Sequence, residues 1–166
     1  MSIKKLVIPV LILLVFSACT LYDVNKRKYN DLSREHNQIA NEALLKKNEA
    51  VDDYNASKYE DAKKAAAEAK ELFSRAQEIS QQNEKYAVKI KDVYWLAGYQ
   101  KKVIESEIYW IDIMDKVTQA SDAQLSGNMS KANSLVKELE AKVPQYEALQ
   151  KEIDKIEEEH KDFFGK

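Results

Sequence analysis

The stretch Tyr54-Asn55-Ala56-Ser57-Lys58-Tyr59-Glu60-Asp61-Ala62 decides the fold. Ahead of it an apolar stripe runs through Tyr22, Tyr29, Leu32, His36, Ile39, Ala43, Ala50 and Tyr54, widened by Ala40, Leu44 and Val51. Steps of three, four and seven residues place these positions on one face of a helix. Asn55-Ala56-Ser57 then breaks the pattern. Ser57-Lys58-Tyr59-Glu60 has capping-box spacing, in which the serine oxygen accepts a backbone N–H and the glutamate reaches back to the cap. A helix over about Tyr22 to Tyr54, a short polar break and a second helix from Lys58 together predict an antiparallel hairpin.

Working outward, the second helix carries Tyr59, Ala62, Ala66, Ala69, Phe73, Ala76 and Ile79 on one side. Alanine at so many seam positions lets a partner backbone come close. Ser80 to Lys85 is polar throughout, and either turns the chain or continues the helix as an exposed interval. From Tyr86 to about Leu125 follows the most apolar and aromatic segment, with Gly98 in its middle. A helical glycine costs about 1 kcal/mol against alanine, which predicts a close helix crossing beside Trp95 and Tyr99. Trp95, Tyr99, Tyr109 and Trp110 read as core, as aromatic stripes at helical spacing generally do. The alternative is a platform for a sugar or hydrophobic ligand, since these rings offer flat faces with polar tips.

Ser126-Gly127-Asn128 marks a second turn, with Asn128 or Ser130 placed to cap a last helix that keeps the helical period through Phe163. Pro144 lies inside that pattern and predicts a kink or a division. A shift of seventy residues maps Tyr59 onto Met129, Ala66 onto Val136, Ala69 onto Leu139, Phe73 onto Val143 and Ala76 onto Tyr146. The chain therefore reads as two helical hairpins related by repetition. With only three glycines and two prolines, the fold class is all-α with long helices. If Ser80 to Lys85 turns, the result is an up-down-up-down four-helix bundle, the architecture favoured here because it covers the aromatic segment. The alternative is one central helix from Lys58 to Leu125 with a helix folded back on each half. Tyr54 to Ala62 also resembles the turn of a tetratricopeptide hairpin, where a tyrosine and a small residue pack helix to helix. The likeness covers that turn alone, and the repeat length departs from the family's ~34 residues.

The first nineteen residues address location rather than fold. Lys4 and Lys5, the apolar run Leu6 to Phe16 interrupted by Pro9, and the small residues Ser17-Ala18 before Cys19 form a secretory signal with a processing site. The run is too short for a membrane span of ~20 residues. Phe16-Ser17-Ala18-Cys19 resembles the lipobox of bacterial and archaeal lipoproteins, with phenylalanine where that family usually has leucine. The resemblance implies a diacylglyceryl thioether on Cys19, removal of residues 1–18, a tether over 19–23 and a helical domain over 24–166. It also implies an extracytoplasmic, membrane-anchored location, with Thr20 pointing to the outer membrane in a two-membrane host. Cys19 is the only cysteine, so an internal disulfide framework is excluded.

Without Lys4 and Lys5, 24 basic and 28 acidic side chains remain, for a formal charge of −4. They are finely mixed, as on solvated helix surfaces, and leave no basic face for nucleic acid. His36 and His160 lie on apolar faces at different levels of a bundle, and Asp52-Asp53 and Glu157-Glu158-Glu159 point in different directions around a helix, so no metal site is expected. No phosphate-binding glycine loop, nucleophile elbow or zinc motif occurs, so neither a cofactor nor catalysis is expected. Asn55-Ala56-Ser57 and Asn128-Met129-Ser130 are glycosylation triplets at the two hairpin tips, in residue types that turns favour anyway. The expected function is a non-catalytic envelope lipoprotein, a helical binding or scaffold module with an envelope protein as possible partner. The alternative is a lipid-tethered receptor for a small or carbohydrate ligand on Trp95, Tyr99, Tyr109 and Trp110.

Overall fold

The computed structural model describes residues 24–91 and 93–164; the signal stretch, Cys19 and the tether lie outside them. Four long helices, α1 (Val24–Asn55), α2 (Tyr59–Ala87), α3 (Trp95–Leu125) and α4 (Met129–Glu159), run up, down, up and down, followed by a single turn, α5 (Lys161–Phe164). Among the described residues there is no strand. The expected all-α bundle of hairpins is what forms, and the single central helix is excluded by a turn between α2 and α3.

That turn is not at Ser80 to Lys85. Helix α2 runs through this polar stretch to Ala87, because Ser80 and Asn83 are buried at 0 % and 2 % exposure and face partners on other helices. The chain reverses over Val88 to Tyr94 instead, pinned by buried Ile90 and by Lys89 and Ile90 N–H groups donating to the Tyr86 and Ala87 carbonyls. Val88, Tyr94 and Ile108, expected within the apolar segment, are exposed. So is Gly98, where an added Cβ would meet nothing within 4 Å; no helix crosses there.

The two hairpin turns are the same structure. Ser57 and Gly127 both have positive φ, 61° and 74°. Lys58 N–H donates to Asp53 C=O at 2.9 Å as Asn128 N–H donates to Ala123 C=O at 2.8 Å, and Ser57 to Tyr54 matches Gly127 to Gln124, both at 3.0 Å. Each set is a Schellman motif, which satisfies the last carbonyls of the incoming helix with a left-handed residue just past its end. Ser57 is therefore the stop of α1 rather than the cap of α2, and the expected capping box does not form: α2 starts after Lys58 without a side-chain cap. Asn128 does cap α4, its Oδ1 accepting from Lys131 N–H at 3.1 Å. Tyr54 and Tyr59 meet edge to face across the first turn at 5.4 Å.

Packing follows residue size. Helix α2 presents Ala62, Ala65, Ala66, Ala69 and Ala76, all essentially inaccessible, and lies close along both α1 and α3. Helix α4 carries Val136, Leu139 and Tyr146 at the positions equivalent to Ala66, Ala69 and Ala76, and these larger side chains hold it further out. Its backbone approaches α3 but nowhere comes within 8 Å, Cα to Cα, of α1 or α2. Pro144 neither divides nor stops α4. The Tyr109 hydroxyl donates to the Lys142 carbonyl, two residues before Pro144, and so ties α3 to α4 at this level. Ion pairs such as Lys46–Glu68 (2.8 Å), Lys63–Asp122 (2.6 Å) and Lys116–Glu138 (2.7 Å) link chain-adjacent helices on the surface, where solvent screening leaves them little weight in stability.

Candidate functional site

Because α4 stands away from α1, the seam between them does not close. A cavity of about 100 Å³ remains there, with α3 as its floor and α2 contributing from below. Tyr29 and Tyr99 bound one end, and Trp110 and Tyr146 the other. Between these aromatic ends polar side chains are set among the apolar Ala40, Leu44, Val103 and Ile153. Ser33, His36, Asn37 and Asn41 come from α1, Asn83 from α2, Gln100, Ser106 and Glu107 from α3, and Gln150 from α4. Helical spacing explains the set: Ser33, His36 and Ala40 follow Tyr29 along one face of α1, and Gln100, Val103, Glu107 and Trp110 do the same on α3.

Glu107 is the centre of the polar lining. Its Oε1 accepts from Ser80 Oγ at 2.9 Å and meets His36 Nε2 in a short contact. His36 Nδ1 lies 3.1 Å from Asn37 Oδ1. Burial opposes the imidazolium, but the hydrogen bond and charge of Glu107 outweigh it and hold the His36 pKa above its ordinary value. One helical turn away, Asn83 Nδ2 donates to Ser33 Oγ at 2.8 Å. Two acceptors in this core have no partner among the described residues, Glu107 Oε2 and Asn83 Oδ1, on side chains 5 % and 2 % exposed. An unmet buried acceptor carries the full desolvation cost of its group, about 1–3 kcal/mol and more for a charge.

The cavity ends are ordered by their own bonds. Tyr99 OH donates to Glu157 Oε1 at 2.9 Å, and burial, then the Glu157 charge, pushes its pKa well up. Trp110 stacks on Phe73 at 5.9 Å and donates from Nε1 to Tyr146 OH at 3.2 Å, which donates on to Gln150 Oε1 at 3.0 Å. Lys47 Nζ lies 4.9 Å over the Trp110 ring, and burial lowers its pKa to about 8.

The four aromatic residues singled out from sequence do not form one platform. Tyr99 and Trp110 line opposite ends of the cavity, eleven residues or ~16 Å apart on α3. Trp95 stacks on His160 at 3.9 Å inside a cluster with Phe163 and Phe164, and Tyr109 packs on Tyr146 at 5.2 Å beside Pro144. Asn55 ends α1 and Asn128 precedes α4, both exposed at the hairpin tips. Ser33, Ser80, Asn83, Gln100 and Glu107 were not singled out, although each continues an apolar stripe at helical spacing, where a polar residue has to find a buried partner. In chemical terms the two unmet atoms of the site are both acceptors. Histidine and serine both bond to the same carboxylate oxygen, unlike a nucleophile triad, in which the histidine lies between hydroxyl and carboxylate. Among the described residues no three His, Cys, Asp or Glu side chains could together hold a metal ion, and no helix is long and apolar enough to cross a membrane. Compared with family models, curated proteins and solved structures, the chain matches none.

Proposed function

We propose that the chain is a lipoprotein of the cell envelope, held to a membrane by lipid on Cys19, whose helical domain works by binding rather than by catalysis. The observation that carries this reading is the end of the bundle from which α1 starts. Helix α1 begins at Val24, five positions after Cys19, so a tether over 19–23 would hold this end near the lipid. The same end exposes Val24 (70 %), Val88 (62 %) and Tyr94 (89 %), with Lys26, Lys28, Lys85, Lys89 and Lys91 exposed beside them. Apolar side chains rimmed by cations suit a lipid surface, the cations by attraction to anionic headgroups and tyrosine by its preference for the interface. Carboxylates at this end include Asp31 and Glu84, each 4.0 Å from a cation, Arg34 and Lys101, and the α4–α5 corner, where Lys155 and Lys161 lie 3.7 Å from Glu159 and 3.9 Å from Glu158. The hairpin tips, with Leu125 and Met129 exposed, would then project ~45 Å away as the surface offered to an envelope partner.

Intact mass of the chain extracted from its membrane tests the tether. Loss of Met1 to Ala18 with a diacylglyceryl group on Cys19 is expected, and Cys19→Ser should be unlipidated and released from the membrane. A full-length, unmodified chain overturns the reading.

A second reading, a tethered receptor for a small ligand, is favoured by one specific observation: a largely apolar cavity whose lining includes a buried carboxylate and a buried amide, each with an oxygen that has no partner among the described residues.

A further inference from the structure

We infer that the cavity between α1 and α4 takes a small protonated amine, with its ammonium group between Glu107 Oε2 and Asn83 Oδ1. The inference rests on the receptor reading and names its ligand class. Both unmet atoms are acceptors, so a group that satisfies them has to donate. They sit one helical turn apart: Ser80 and Asn83 on α2 bond to Glu107 and Ser33, while Ser33 and His36 on α1 bond to Asn83 and Glu107. Equivalent atoms one turn apart are ~5 Å distant, a gap that one group with several N–H donors spans.

Charge selects among donors. Among its described lining residues the cavity has no lysine or arginine, and the Glu107 carboxylate meets His36 and Ser80 through Oε1 alone, leaving Oε2 to a further donor. A bond from an ammonium to a carboxylate is roughly twice as strong as one between neutral groups. Anions are disfavoured by the same carboxylate. Size sets the rest, since about 100 Å³ holds a molecule of a few non-hydrogen atoms. Larger amines would have to leave their tails in the seam between α1 and α4.

Calorimetric titration of the full chain in nonionic detergent with ethanolamine, ethylene glycol and glycolate separates the possibilities, because the three probes are close in size and differ in charge. Saturable binding of ethanolamine, at least tenfold tighter than either other probe and weakened at least tenfold by Glu107→Gln, is expected. Trp110 emission should change with the same midpoint. If ethylene glycol or glycolate binds as well as ethanolamine, the receptor reading stands and the amine is overturned. If none of the three binds, the cavity holds only water and both fall, whatever the lipid state found by mass. Should Glu107→Gln fail to fold, as judged by circular dichroism, the three isotherms of the unaltered chain still decide.

Discussion

Glu107 joins three helices through one oxygen: Ser80 of α2 and His36 of α1 both bond to Oε1 from positions far away in the sequence. Truncating one partner of a buried, hydrogen-bonded charge costs roughly 3–5 kcal/mol, because the remaining groups lose their charged partner. Glu107→Ala is therefore expected to lower the urea unfolding free energy by about 3 kcal/mol. It should also alter the pH dependence. The folded state holds the His36 proton more tightly than the unfolded chain does, so it binds more protons from pH ~6.5 up to the raised folded pKa. Stability falls as pH rises through that interval, and removal of Glu107 should flatten the slope. Lys47 has the opposite sign. Burial lowers its pKa from 10.5 to about 8, so above pH 8 the unfolded chain binds more protons and stability rises with pH. The rise should be visible up to pH ~9.5, before tyrosines begin to ionise. Lys47→Met is expected to gain roughly 1 kcal/mol at pH 7, because it removes a buried charge, and to abolish that rise; thermal melts across pH 7 to 9.5 would show both.

At the scale of elements, the Schellman turns give a matched pair of tests. Ser57 and Gly127 occupy the same left-handed position, which strains any side chain and suits glycine. Ser57→Gly should stabilise by roughly 0.5 kcal/mol, as relief of strain exceeds the added entropy of the unfolded chain, whereas Gly127→Ala should destabilise by about 1 kcal/mol. Denaturation midpoints of the two variants should move in opposite directions. These turns were legible in the sequence because their signals are local: small polar residues interrupting a stripe, repeated seventy residues on. The apolar stripes of α2 and α4 were legible for the same reason. The reversal at Val88 to Tyr94 was not. It holds neither glycine nor proline, and its anchor Ile90 looks like one more stripe residue. Ser80 to Lys85 looked like a turn because polarity ordinarily means solvent. Their partners, Glu107 at a separation of 27 residues and Ser33 at 50, belong to tertiary structure that local pattern does not contain. The cavity was illegible for a related reason, since it arises from the difference in seam size between α2 and α4.

For the whole molecule, the unequal seams make unequal stability. Helix α2 is clasped on both sides by α1 and α3, while the α4 backbone lies close to α3 alone among the long helices and meets α1 only through side chains, as in the cluster that holds Tyr29 and Ile153. Local opening follows the loss of few contacts before many. In native-state hydrogen exchange, amides of α4 are expected to exchange through openings of lower free energy than those of α2, with Pro144 near the weakest point. Saturation with a cavity ligand should slow exchange in α4 more than in α2, since binding to the closed form stabilises it by mass action.

The two described ends of the chain lie together: Tyr29, near the start of α1, meets Phe163 of α5 with ring centroids 6.3 Å apart. Drawing these ends apart loads the structure as a zipper rather than as a lap joint. Tension would reach the Phe163–Phe164 cluster first, then detach α4 from α3 one turn at a time, so few contacts resist at any moment. A domain so built yields at low force and extends by the contour length of a whole helix while the α1–α2–α3 body stays folded. Held at one end and pulled at the other, the chain is a compliant spring rather than a rigid post.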